Sequence, residues 1–149
     1  MPKEDIFCMI VRGEVPAFKI YEDKSFVAIL DIYPNIKGQT LVLSKNHRTG
    51  YVFDLNDKEL KEFIIAIKKV VKLLEGKLEV KRVHIVIEGT GINHLHAKLY
   101  PAIGLTDKYA EAVAKEKRYF KRYEGYVTTL TGPKAKNKEL KKLQEKIVS

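Results

Sequence analysis

Apolar positions recur along this chain in two periods. Between Asn56 and Gly76, Leu60, Ile64, Ile67, Val71 and Leu74 return every three or four residues, which is the spacing of one helix face. Asn56 and Glu59, three residues apart, make a capping box at its start, and Gly76 is a natural stop. Phe63, Ile65, Val70 and Leu73 lie beside that face. They make the helix more apolar than one monomer core requires, which points to a homodimer. Elsewhere the apolar runs are short and bounded by turn residues, as strands are, at 19–21, 26–30, 39–44, 82–88 and 93–99. The connections Glu22-Asp23-Lys24 and Gly89-Thr90-Gly91 are brief, and brevity favours antiparallel pairing. Residues 3–12 read as a short helix with Ile6, Phe7, Met9 and Ile10 on its apolar side, stopped by Gly13 and Pro16. The pattern predicts an α+β fold: an antiparallel meander sheet, one long helix on a face and a short N-terminal helix.

Charge changes the picture beyond residue 105. The chain has 149 residues and a net charge of +9, and residues 106–149 hold twelve basic and six acidic side chains. This divides the chain into a domain at 1–105 and a basic extension at 106–149, with helices expected at 108–119 and 138–147. Tyr119, Phe120, Tyr123, Tyr126, Val127 and Leu130 make the extension too apolar for a free arm. The expectation is that it packs on the domain as far as Pro133, and that Leu140, Leu143 and Ile147 face inward. Excess cations suit polyanionic partners, nucleotides or nucleic acid among them. Cys8 is the single cysteine, so no disulfide framework forms within the chain. No apolar run has the length of a signal core or a membrane span. A cytoplasmic protein with no membrane partner is expected.

The chemistry concentrates at Asn93-His94-Leu95-His96-Ala97-Lys98-Leu99-Tyr100-Pro101. In a strand, alternate residues share a face about 7 Å apart, so His94, His96 and Lys98 would project together as an anion-handling surface. The competing interpretation is a solvent-facing edge whose polar residues only complete the alternation.

This segment resembles the signature of the histidine triad (HIT) nucleotide hydrolases and transferases, His-x-His-x-His followed by apolar residues and a proline, with Lys98 in the third histidine's place. Upstream segments match in the same order. Asp5 through Ala17 resembles the family's opening helix, Tyr21 through Pro34 its next strands, and Gly38 through His47 the stretch ending in its "KKH". The likeness covers about residues 5–101.

The resemblance implies a HIT-like fold, a homodimer, and binding of a purine nucleotide or nucleotide conjugate. His96 would attack the α-phosphorus and form a nucleotidyl-histidine that water resolves, cleaving a P–N or P–O–P bond. His94 would orient the site, and Lys98 would meet phosphate and leaving group as a cation, though as a poorer proton donor than histidine. Asp31 takes the place of the ribose-binding acid, with Ile32 against it. Phe7 and Ile10 resemble the apolar wall beside the base, and Ile6 is expected in the core. The family's phosphate loop is shortened here, with Thr90 and Asn93 as candidate replacements and Ile87 where asparagine is common. No cofactor is required by this chemistry. One family branch holds a structural zinc, and Asp5, Cys8, His47 and His94 occupy those ligand positions; the alternative makes Cys8 a small buried hydrophobe and His47 a cap on the active site. His84 matches no motif. The departures leave a second function open, a nucleotide- or RNA-binding module with weak or no turnover.

Overall fold

The long helix α2 (Asp57–Leu78) starts as its sequence dictates. The Asn56 side chain accepts a hydrogen bond from the Glu59 N–H, and the Glu59 carboxylate accepts one from the Asn56 N–H. The helix does not stop at Gly76. It runs on to Leu78 and closes at Glu79, whose φ of 55° is left-handed. Leu78 packs against the core, and a Cβ on Gly38 would sit 2.5 Å from its Cδ1. Gly38 therefore clears space for the final turn, and that packing outweighs the cost of about 1 kcal/mol for an interior glycine.

The buried stripe of α2 also differs from the expected one. Phe63, Ala66, Ile67, Val70 and Leu74 are buried, whereas Ile64 is 45% exposed. The helix is turned so that its bulkiest apolar residue, Phe63, reaches the centre of the core, with its ring 5.5 Å from that of Phe26.

The computed structural model describes residues 4–149; Lys3, at the start of the helix expected over 3–12, lies outside them. The chain divides into two compact units, one reaching Leu105 and one from Thr106 to Ser149. In the first, α1 (Ile6–Val11) precedes β1 (Lys19–Glu22), β2 (Phe26–Leu30) and β3 (Thr40–Ser44), and α2 leads to β4 (Val83–Val86) and β5 (His96–Pro101). A 3-10 turn at Val52–Asp54, with no strong sequence signal, joins β3 to α2. The fold is α+β, as the sequence pattern predicts. Its five-stranded antiparallel sheet has the order β1-β2-β3-β5-β4, a three-stranded meander and a two-stranded hairpin joined through α2.

Both faces of the central strands are covered. Phe26, Ala28, Val42, Ala97 and Leu99 meet α2, while Val27, Ile29, Leu41 and Leu43 cluster with Phe7 of α1. Burial on both sides explains why β2 and β3 read as continuous apolar runs. β5 is not an edge. It pairs with β3 through Val42 and Ala97 and with β4 through Val86 and Lys98, which removes the solvent-facing-edge interpretation. The strand begins at His96, so His94 precedes it.

The unit from Thr106 to Ser149 departs from expectation. No helix forms over 108–119; instead Val113 bridges Thr131, with the Thr131 N–H bonded to the Ala112 carbonyl at 3.2 Å. That pairing takes backbone groups a helix would need. α3 (Asn137–Val148) does form, from strong helix formers, but Leu140, Leu143 and Ile147 are exposed rather than inward. Among the described residues no helix is long and apolar enough to cross a membrane.

Phe63→Ala removes the centre of the main core, and its cost should be about 3–5 kcal/mol. Urea denaturation with an unchanged m-value would measure it; a loss under 1 kcal/mol would contradict this account of α2.

Candidate functional site

On the sheet face opposite α2, a cleft of about 500 Å³ lies between β2, β3, β5 and the apolar side of α1. Alternation along β5 sends His96, Lys98 and Tyr100 into it, while Ala97 and Leu99 enter the core on the other side. Ile6, Phe7 and Ile10 form the wall. Ile6 is not a core residue: it is 42% exposed and lines the cleft. Phe7 is the buried one, with its ring 5.0 Å from His96 and 5.6 Å from His94.

His96 is held in one state. Its Nδ1 donates to the carbonyl oxygen of His94 at 2.6 Å, so the lone pair resides on Nε2. Burial pushes the imidazole below its ordinary pKa and the Lys98 charge adds to this, while the bond to the His94 carbonyl and the Glu88 charge oppose it. The ring is thereby kept neutral at neutral pH, as a nucleophile must be. His94 acts on it through its backbone. The His94 ring itself is fully buried outside the cleft, with Nε2 donating to the Ser44 carbonyl at 2.8 Å.

Lys98 is not a free cation. Its ammonium is ion-paired with Glu88, a residue that sequence reasoning missed. Burial pulls the Lys98 pKa down, but the Glu88 hydrogen bond and charge, with Tyr100 and Asp31 contributing, leave it above the ordinary value. The hairpin register offered a signal for this pair. Val86 opposes Lys98, and Glu88 lies two residues further on, towards His96.

At the rim, Asp31 is fixed from two sides. The Tyr33 N–H donates to its Oδ1 at 2.8 Å and Gln39 Nε2 to its Oδ2 at 2.7 Å. The turn reading of Asp31 is thus seen in the structure, and the tethered carboxylate lines the cleft with lone pairs to spare. Ile32 stands beside it, exposed and lining the cleft. Gln39 was missed as well, although it follows from continuing the Leu30–Thr40 pairing by one step.

The loop between β4 and β5 is set by a backbone crossing. Gly89 has φ 64°, and a Cβ there would lie 2.0 Å from the Gly50 carbonyl oxygen. Asn93 locks the same crossing by accepting from the Gly50 N–H at 2.8 Å and from the Thr49 hydroxyl at 3.3 Å. This loop lines the cleft with Gly91 and Ile92; Thr90 and Asn93 are not lining residues. Ile87 packs against the main core.

The HIT domain profile matches residues 12–101. The chain belongs to the HIT family. A HIT-like protein of Methanocaldococcus jannaschii is 41% identical over 101 residues, covering 64% of this chain and 77% of its own length. The adenosine 5'-monophosphoramidase of Schizosaccharomyces pombe is 38% identical over 69 residues, 46% of this chain and 51% of that one. Among solved structures, a HIT family member from Bacillus subtilis has a TM-score of 0.63 at 26% identity, covering 96% of this chain and 94% of its own.

Beside its cleft this HIT chain gathers Asp5, Cys8, His47 and His94, with one ligand atom of each within 4.8 Å of the others. Asp5 Oδ2 is 3.1 Å from Nδ1 of both histidines, and Cys8 Sγ lies 3.5 Å from His47 Nδ1 and 3.6 Å from His94 Nδ1. A tetrahedron with zinc bonds of about 2.0–2.3 Å has edges of roughly 3.3–3.7 Å, and the quoted donor separations of 3.1–3.6 Å come close to these. One thiolate and one carboxylate also balance the two charges of zinc. The Ser44 carbonyl fixes the His94 tautomer that leaves Nδ1 to a metal. Asp5 further caps α1 through the Cys8 N–H at 2.9 Å.

Asn93→Ala strips the Gly50 N–H of its acceptor and should cost about 1–3 kcal/mol. Thermal unfolding measures this, and an unchanged midpoint would show that the crossing does not need Asn93.

Proposed function

We propose that this chain binds a purine nucleotide or nucleotide conjugate in the cleft and cleaves a P–N or P–O–P bond at its α-phosphorus, as a HIT-type hydrolase or transferase with His96 as nucleophile. The observation that carries this reading is the pinned His96 imidazole, with Nδ1–H on the His94 carbonyl and Nε2 lone pair available in a cleft that also holds a cation. Ile6, Phe7 and Ile10 offer an apolar wall to a base, Asp31 accepts from ribose hydroxyls, and Lys98 attracts the phosphate. The similarity to adenosine 5'-monophosphoramidases supports the same class of reaction. His96 Nε2 attacks phosphorus, the leaving group departs with its bonding pair, and water then releases the nucleotide from the histidine.

The second reading, a binding module with weak or absent turnover, is favoured by one observation: Lys98 already has Glu88 as a partner. The basic extension would then serve RNA, with the exposed Tyr119 ring as a candidate for stacking. Two further elements belong to this proposal. Ile64, Ile65 and Phe53 stay exposed on the first unit, which supports a homodimer. Asp5, Cys8, His47 and His94 would hold a zinc whose part is structural, tying α1 to the end of β3.

His96→Ala should lower turnover of nucleotide substrates by at least about three orders of magnitude while nucleotide affinity stays within a few-fold. Rapid quench and mass spectrometry should find a nucleotidyl adduct on His96 in the unaltered protein. Full activity of the variant would overturn the assignment, and wild-type binding without adduct or turnover would select the module. For the metal, elemental analysis should find one zinc per chain, and Cys8→Ala should lose it together with thermal stability; a stable, metal-free wild type would refute that part.

A further inference from the structure

The leaving group is the half of the reaction for which this cleft is unusually built. Bond cleavage at phosphorus leaves an electron pair on the departing atom, and its basicity decides what it needs. A departing amine nitrogen needs a proton as the bond breaks. A departing phosphate, polyphosphate or carboxylate oxygen is stable as an anion and needs a nearby positive charge.

Lys98 stands two residues beyond His96 on the same face of β5, where a departing group would be met. Its ammonium is ion-paired to Glu88, and both side chains are largely buried, 30% and 20% exposed. Burial works against the Lys98 charge, but the Glu88 hydrogen bond and charge, with the Asp31 charge, more than offset it. Among the described residues that line the cleft, His96 is the sole imidazole, and as nucleophile it has no proton on Nε2 to give. The Tyr100 phenol is held above its ordinary pKa chiefly by burial, so it is a poor acid too. The cleft thus holds a fixed positive charge and lacks a group that surrenders a proton near neutrality.

We propose that the Glu88–Lys98 pair makes this site selective for 5'-nucleotidyl mixed anhydrides, in which the α-phosphorus carries a phosphate, polyphosphate or carboxylate, over phosphoramidates. The proposal rests on His96 being the nucleophile. In the first step the Nε2–P bond forms and the bond from phosphorus to the bridging oxygen breaks. The electron pair stays on that oxygen, which departs as an anion beside the Lys98 ammonium with no proton transferred. In the second step water oxygen bonds to phosphorus, the P–Nε2 bond returns its pair to the imidazole, and the water proton is released to solvent. Glu88 is a positioning residue here, because it acts through Lys98.

The test compares kcat/KM on diadenosine tetraphosphate, acetyl adenylate and adenosine phosphoramidate for the full chain and three variants. The two anhydrides separate a polyphosphate from a carboxylate leaving group. Lys98→His supplies a titratable donor. It should raise phosphoramidate turnover at least about tenfold relative to the anhydrides, a modest share of what general acid catalysis contributes. That gain should fade as pH rises and the new imidazole loses its proton. Lys98→Arg keeps a charge that cannot give up its proton, and it should leave the wild-type preference in place. Glu88→Gln should lower kcat on the anhydrides more than it changes KM. A Lys98→His protein with an unchanged ratio and no new pH dependence would overturn the inference, as would a wild type that cleaves phosphoramidate as fast as the anhydrides. Absence of a His96 adduct with all three substrates would instead defeat the parent reading, so the two failures can be told apart.

Discussion

The cleft depends on the bond from the His96 imidazole to the carbonyl of His94, its neighbour but one. A side chain can reach that carbonyl only if the chain bends there, and the fold enforces the bend from several sides. The Leu95 carbonyl accepts from the Ser44 N–H, the Leu95 N–H donates to Arg48, and the His94 ring donates to the Ser44 carbonyl. β5 then continues between β3 and β4, so residues 94–96 have no freedom to straighten. The tautomer of His96 and the direction of its lone pair are consequences of backbone hydrogen bonding; no other side chain in the cleft sets them.

The same residue joins two kinds of chemistry. His94 presents its carbonyl to the His96 imidazole and its ring to Asp5, Cys8 and His47. α1 joins them again from the other direction, carrying Asp5 and Cys8 at its start and the wall residues Ile6, Phe7 and Ile10 along its length. A helix of six residues is too short to be stable alone. Its position comes from burying Phe7 and from the cluster that grips its first turn. Whatever tightens that cluster also fixes the apolar wall of the cleft.

The sequence made the strands, the long helix and the histidines legible because each is written in local periodicity or in adjacent residues. The parts that were not legible are decided by packing at a distance. Gly76 reads as a stop until Leu78 finds its place against Gly38. The α2 stripe shifts because Phe63 takes the centre of the core. Glu88 and Gln39 become site residues only once the β4–β5 and β2–β3 registers are known. Asn93 carries the chemistry of a phosphate contact, yet a backbone crossing between two glycines claims it. The helix expected over 108–119 fails for a related reason, since pairing with Thr131 is a contact no local window contains.

A lysine at position 98, where a histidine would titrate near neutrality, bears on more than one term of the electrostatics. Under the proposed reaction His96 has to be neutral, and burial is the largest influence in that direction; the positive charge two residues away adds to it. A titrating group at position 98 would apply that pressure only while protonated, so nucleophile and neighbour would trade protons across the neutral range. Lysine removes that coupling. An unpaired ammonium in a half-buried cleft would be costly, and Glu88 meets the cost while leaving the side chain inside the cleft. The result is an imidazole biased towards its neutral form beside a cation biased towards its charged one, with no second imidazole lining the cleft among the described residues.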